Sequence, residues 1–218
     1  MKHILLLISI LLISKTNCYS QQELKWGTFY LGPFISYKAG LNLKDVYPGE
    51  KKIIRINSIP DMGVTCFYLF SKEPRNSGLL FELGLSNNSF KHTMPYDENK
   101  FISYQTSYIT FMLNYCISGF SAGPSFGVSI YNKIDVSDSN IKVTQENRKF
   151  YIGFNLGYFI TLLEKNDDKL NLFANAHLNI TKLGWYNEND TTVGYESHYS
   201  AGILSFGIGF NYLFKLGE

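Results

Sequence analysis

Eight stretches of period-two alternation, links that alternate short and long, and a face rich in Gly, Ser and Asn opposite a face of Phe, Ile and Leu all point to one class. They predict an all-β chain folded as an eight-stranded antiparallel up-and-down transmembrane β-barrel. The 218 residues include 16 Tyr, 17 Phe and 18 Gly, with charged residues at only 17%. An aromatic-rich, glycine-rich and charge-poor composition is unusual for a soluble enzyme and suits strands.

Residues 1–20 stand apart from that pattern. Lys2 and His3 precede an apolar run from Ile4 to Ile13, and a polar stretch follows through Tyr19-Ser20-Gln21-Gln22. This is the layout of a cleavable signal peptide, and the run is too short for a transmembrane helix, which needs roughly 20 apolar residues. Lys15-Thr16-Asn17 does not supply the small or aliphatic residues that lipoprotein processing wants before Cys18. The expected division is therefore a signal peptide over residues 1–20 and one barrel domain over residues 21–218. Cleavage removes two basic residues and no acids, so 18 basic residues face 18 acidic ones. A neutral mature chain without a basic cluster gives no reason to expect nucleic acid as a partner. Cys66 and Cys116 are too few for a disulfide-stapled domain, and they fall on opposite faces of non-neighbouring segments.

Alternation is clearest from Gly119 to Asn132, where Phe120, Ala122, Pro124, Phe126, Val128 and Ile130 oppose Gly119, Ser121, Gly123, Ser125, Gly127 and Ser129. It recurs in Leu79–Leu85, Phe150–Ile160, Leu170–Ile180 and Leu204–Phe214, and less sharply in Gly27–Tyr37, Asp61–Phe70 and Tyr104–Tyr115. The links near Ser71–Ser77, Ile117–Gly119 and Leu162–Lys169 are short. Those spanning Lys38–Ile59, Asn87–Ser103, Lys133–Asn147 and Lys182–Ser197 are long and polar. Such alternation gathers the long loops at one end, and an even strand number leaves both termini at the other.

The polarity of the two faces decides which points inward. A core built from Gly123, Ser125, Gly127 and Ser129 buries too little apolar area to hold a soluble protein together. The same residues fit the narrow lumen of an eight-stranded barrel, with the bulky face turned to lipid. Tyr37, Tyr68, Tyr115, Tyr131, Tyr158 and Tyr212 lie toward strand ends, where aromatic girdles form at the membrane interfaces.

On these features the chain resembles the small outer-membrane β-barrels typified by the OmpA membrane domain and OmpX. It is most similar to the PorT-like barrels of Bacteroidetes. The resemblance covers the whole mature chain. Its most telling pieces are FSAGPSFGVSI (120–130), similar to the Gly-Pro-bearing strand of PorT-like proteins, and LSFGIGFNYLF (204–214), similar to the aromatic terminal strand of the family. Here Phe214 stands four residues before the end of the sequence, where the family often ends on an aromatic. The resemblance implies a cell outer-membrane location with periplasmic termini. It also implies contact with outer-membrane lipid and lipopolysaccharide, and recognition of the C-terminal strand by the barrel insertion machinery. It implies little about activity.

Few constellations suggest chemistry. Glu82 and His177 fall on the inward face and are expected to form a hydrogen-bonded interior network with Tyr30, Tyr108, Tyr151, Asn155 and Asn175, closing the lumen. His177, Tyr108 and Tyr151 are the expected donors around Glu82. His198-Tyr199-Ser200 is similar to the His-x-Ser segment of lipid A deacylase barrels, in which serine attacks an ester and histidine is the base. Ala201 departs from that family's asparagine, and no later strand supplies its acid. No metal-ligand spacing and no phosphate-binding glycine loop occur, so no metal or cofactor is expected. The expected role is that of a non-enzymatic barrel acting through its long loops, possible sites for protein partners, or as an envelope or secretion accessory. A lipid-modifying enzyme and a narrow solute channel are the alternatives.

Overall fold

The computed structural model describes residues 27–43, 51–71, 77–94, 97–137, 143–145, 150–180, 183–187, 198–201 and 203–217. The expected signal peptide lies outside these residues. Among the described residues thirteen strands follow in order: β1 (Thr28–Asn42), β2 (Lys51–Ile53), β3 (Arg55–Ile56), β4 (Asp61–Ser71), β5 (Ser77–Met94), β6 (Asp97–Ile117) and β7 (Phe120–Val136). Then come β8 (Val143–Gln145), β9 (Phe150–Lys165), β10 (Asp168–Asn179), β11 (Leu183–Asn187), β12 (His198–Ala201) and β13 (Ile203–Gly217).

Eight of them pair antiparallel in the order β13-β10-β9-β7-β6-β5-β4-β1, and β1 pairs with β13 to close the ring. These are the eight segments expected from the alternation, in chain order. β2 and β3 continue the β4 wall upward, pairing with β5 and β1 respectively. β8 and β11, from the long links, and β12, just after the last of them, form a separate three-stranded sheet.

The wall is taller than the alternating segments alone suggest. Three of the expected long links begin or end inside strands. Lys38–Asn42 belongs to β1, Asn87–Met94 and Asp97–Ser103 form one long hairpin, and Lys133–Val136 completes β7. These stretches are polar because they rise above the lipid, where the outer face no longer needs apolar residues. Period-two hydrophobicity fades there although the ladder continues, as in Ser89↔Gln105 and Lys91↔Ser103.

The short links are tight. Ser118-Gly119 and Asn166-Asp167 are two-residue turns with positive φ at both positions: 51° and 87°, then 52° and 67°. That is the type I′ geometry whose twist matches paired strands, and Asn, Asp and Gly tolerate it best. Phe29 pairs with Gly217, so the start of β1 and the end of β13 lie at this short-turn end.

Burial follows the pleat. On β7, Ser125 is fully buried while Phe126 is 46% exposed. On β13, Ser205 is fully buried while Phe206 is 55% exposed. Val64, Leu83, Phe111, Phe154 and Ile208 carry the same exposed apolar belt around the ring. Tyr115, Phe120, Tyr158, Tyr212 and Phe214 line its short-turn edge, with Phe120 and Tyr158 rings 4.6 Å apart and Tyr212 and Phe214 rings 4.8 Å apart. Tyr37 and Tyr131 are exposed toward the long-loop edge. Cys66 and Cys116 are free, on β4 and β6 with β5 between them.

Two outcomes check this architecture. Cysteine at Phe126 or Phe206 in the folded, lipid-inserted chain should resist a water-soluble maleimide that labels cysteine at Lys133; free labelling of Phe126→Cys would turn the barrel inside out. At Gly119, φ is +87° and an added Cβ would stand 2.7 Å from the Phe159 carbonyl oxygen. Gly119→Val should therefore cost about 1–2 kcal/mol in denaturant unfolding, more than Asn166→Gly, which removes only a side chain from a permissive turn.

Candidate functional site

The inward side chains stack in layers along the barrel axis. Nearest the short turns sits an apolar cluster of Tyr30, Phe67, Leu69, Leu80, Cys116 and Leu213, against which Phe159 packs. The Phe67 ring lies 6.2 Å from Tyr30 and 6.0 Å from Phe159. An amide layer follows. Thr161 Oγ1 donates to Asn171 Oδ1 at 2.8 Å, and Asn171 Nδ2 donates to Asn211 Oδ1 at 2.8 Å, which ties the neighbouring strands β9, β10 and β13 along the inner face of the wall.

Glu82, 6% exposed, stands beside this layer. Its Oε1 accepts from Thr65 Oγ1 at 3.2 Å. A cavity of about 20 Å³ adjoins it, lined in part by Asn114, Asn155, Asn175 and Asn211. The expected donors, His177, Tyr108 and Tyr151, are not the groups that hold Glu82. They form a group of their own, with Tyr108 and Tyr151 rings 4.5 Å apart and Tyr151 and His177 rings 5.5 Å apart. His177 Nε2 meets Ser125 Oγ at 2.7 Å, although β9 runs between their strands. Gly153 on β9 allows this contact. A Cβ there would stand 2.6 Å from His177 Nε2 and 2.7 Å from Ser125 Oγ, so only glycine lets the two side chains meet across it. Tyr108, Tyr151, Asn155 and His177 are buried, and Asn175 is half-buried.

At this depth sits the charged pair that the alternation did not reveal. Lys38 Nζ pairs with Asp61 Oδ2, both side chains 5% exposed. Lys38 also donates to Ser86 Oγ at 2.8 Å, and Ser86 Oγ donates to Asp61 Oδ2 at 3.1 Å. The other carboxylate oxygen accepts the Asn87 backbone N–H at 2.7 Å. Lys38 was expected in a loop. The signal lay in its parity: Tyr30, Gly32, Phe34 and Ser36 face inward, and continuing β1 by one step puts Lys38 on the same face.

Asp61 has a second task. The second wall strand breaks at residues 57–60, where Pro60 has no N–H to donate. There the Asn87 N–H bonds to the Asp61 side chain instead of a strand partner, and the Asn57 side-chain amide donates to the Asn87 carbonyl. Asn57 N–H in turn donates to the Lys38 carbonyl at 2.8 Å. Side chains thus satisfy backbone groups that the interrupted ladder leaves open.

Above the pair, Phe90 stacks on Tyr104 at 5.1 Å, and Ile102 is buried beside them on the same two strands. The filled interior therefore runs on into the tall hairpin read from sequence as a loop.

The weak catalytic candidates lie elsewhere. His198 and Ser200 are on β12 in the three-stranded sheet, where the register sets His198 opposite Tyr186 and Ser200 opposite Gly184.

An antiparallel ring of eight strands, apolar outside and polar within, is the architecture of a transmembrane β-barrel. No protein-family model and no curated protein matches the chain. Among solved structures it is similar to the outer membrane protein OprG from Pseudomonas aeruginosa, at 16% identity over 90% of this chain and 100% of that one, with a TM-score of 0.42. It is similar to the outer membrane protein AlkL, at 16% identity over 92% and 96% of the two chains, with a TM-score of 0.44. It is also similar to the outer membrane protease OmpT from Escherichia coli, at 11% identity over 91% and 99%, with a TM-score of 0.33.

The buried pair yields a stability prediction. Removing one partner strands the other charge in the lumen, so Lys38→Met should cost about 3–5 kcal/mol in urea unfolding of the lipid-inserted barrel. Lys38→Met combined with Asp61→Leu should recover part of that loss but not all, because Asn87 N–H then lacks its acceptor. Complete recovery by the double variant would remove Asp61 from its role in sealing the wall.

Proposed function

We propose that the chain is a non-enzymatic outer-membrane barrel that closes its own lumen and works through its long-loop end. That end would serve as a contact surface or as an accessory to the envelope or a secretion machine. The observation that carries this reading is the continuous interior stack, from Leu69 near the short turns through Lys38–Asp61 to Phe90 above the belt. A side-chain-filled lumen leaves the exterior and the rim as the surfaces available for work. The short-turn end, where β1 begins and β13 ends, would face the periplasm.

A lumen closed by its own side chains should carry no steady ionic current. In planar bilayers the folded protein should show no stepwise conductance, and Glu82→Ala should not create one. Because Glu82 accepts from Thr65, the same change should cost about 1–3 kcal/mol of unfolding stability. Large single-channel steps from the unmodified protein would replace this reading with a solute channel. A change in lipid A acylation that depends on Ser200 would replace it with a lipid-modifying enzyme.

A further inference from the structure

One acid in the lumen is left without a counter-ion. Among the described residues the buried Lys, Arg, Asp and Glu side chains are Lys38, Asp61 and Glu82, one cation against two carboxylates. Lys38 is held by Asp61 and by Ser86, which lies four residues along β5 from Glu82. His177 does not line the cavity beside Glu82, and its Nε2 faces Ser125 instead. An unpaired charge in a low-dielectric interior is costly, so the Glu82 carboxylate needs a partner.

The cavity beside it shows which kind. Asn114 and Asn155 line it, 0% and 3% exposed, together with Asn175 and Asn211. Asn211 Oδ1 already accepts from Asn171. The side-chain oxygens of Asn114, Asn155 and Asn175 have no hydrogen-bond donor among the described residues, and the Asn114 amide nitrogen has no acceptor there. Three unmatched amide oxygens and a carboxylate therefore border one space of about 20 Å³. That is room for roughly one particle of water's size.

The register keeps this space open. Gly157 on β9 stands between Ser121 of β7 and Asn175 of β10, and it lines the cavity. A Cβ there would come 2.6 Å from Ser121 Oγ, so any side chain at this position would crowd the same space.

The donor set separates the occupants that would fit. A proton on Glu82 removes the charge but supplies one donor, and two amide oxygens stay unmatched. A water supplies two donors and leaves the charge. A monovalent cation neutralises the carboxylate and attracts every oxygen together, as amide oxygens do when they replace an ion's hydration shell. Ca²⁺ takes about 6–8 oxygens and Mg²⁺ keeps several waters, and this space offers neither. One carboxylate would also leave a divalent ion with surplus charge. Among monovalent ions the small space suits sodium better than potassium.

We propose that Glu82, Asn114, Asn155 and Asn175 bind one dehydrated sodium ion inside the barrel. The ion is then part of what fills the lumen, whatever the long-loop end does.

The test uses the full chain refolded from urea into neutral phosphatidylcholine vesicles. Sodium, potassium, calcium or choline chloride is present at fixed ionic strength, so that ions can enter before the ring closes. Folding is verified by a heat-modifiable gel shift, and urea unfolding is then followed at neutral pH. For the wild type, the unfolding equilibrium constant should fall about tenfold for each tenfold rise in sodium above the site's dissociation constant, with choline as the replaced ion. Glu82→Gln keeps the side chain's shape and should abolish the dependence. Asn114→Ala should move it to higher sodium. Asp135→Asn, in the exposed pair with Lys133, should leave it unchanged. A wild type equally stable in choline and in sodium would overturn the site without recourse to any variant, and would leave the closed-lumen reading intact. Sodium dependence that survives Glu82→Gln would overturn it too, by placing the ion elsewhere. A stronger response to potassium or calcium than to sodium would overturn the assignment of the ion.

Discussion

Every structural feature depends on the closure of the ring by the β1–β13 ladder. In hydrocarbon a backbone N–H or C=O without a partner costs several kcal/mol, and water is not available to substitute. A sheet with two free edges could not sit there. Pairing β1 with β13 from Phe29↔Gly217 up to Asn42↔Ile203 removes both edges at once. Closure also fixes the lumen's width, and a width set by eight strands leaves space for side chains and little else.

The break at residues 57–60 shows how the wall keeps its backbone groups paired where its ladder is interrupted, even beyond the apolar belt. The wall loses its regular partner there, and the lost hydrogen bonds return through the side chains of Asp61 and Asn57. Asp61 then brings a negative charge into the lumen, and Lys38 from the adjoining strand matches it. A buried ion pair seldom stabilises more than an apolar pair of the same size. Here the carboxylate has a second use as an acceptor for backbone, which an apolar residue could not supply. The pair therefore follows from repairing the wall.

Once the lumen is filled, the chemistry left to the molecule lies on its outside and at its rim. The tall β5–β6 hairpin carries the wall past the belt, where Lys91 and Arg55 stand beside exposed isoleucines. The polar stretches that end the hydrophobic alternation are thus continuations of the barrel with a different solvent on their outer face.

The eight strands, their order, their inward and outward faces and the presence of short links at Ile117–Gly119 and Leu162–Lys169 are legible in the chain itself; the structure narrows those links to two-residue turns at Ser118-Gly119 and Asn166-Asp167. The pleat turns a period of two directly into a choice between lipid and lumen. Strand tops were not legible, because the cue is hydrophobic contrast and it vanishes where both faces are polar, as in Asn87–Ser103. Interior partners were not legible either. Parity set Glu82, His177 and Tyr108 facing inward, but a shared lumen is not a shared contact. Strand register decided that Glu82 meets Thr65, that His177 reaches Ser125 over Gly153, and that Lys38 lies against Asp61. Those pairings join residues on different strands, and only closing the ring sets their heights relative to one another.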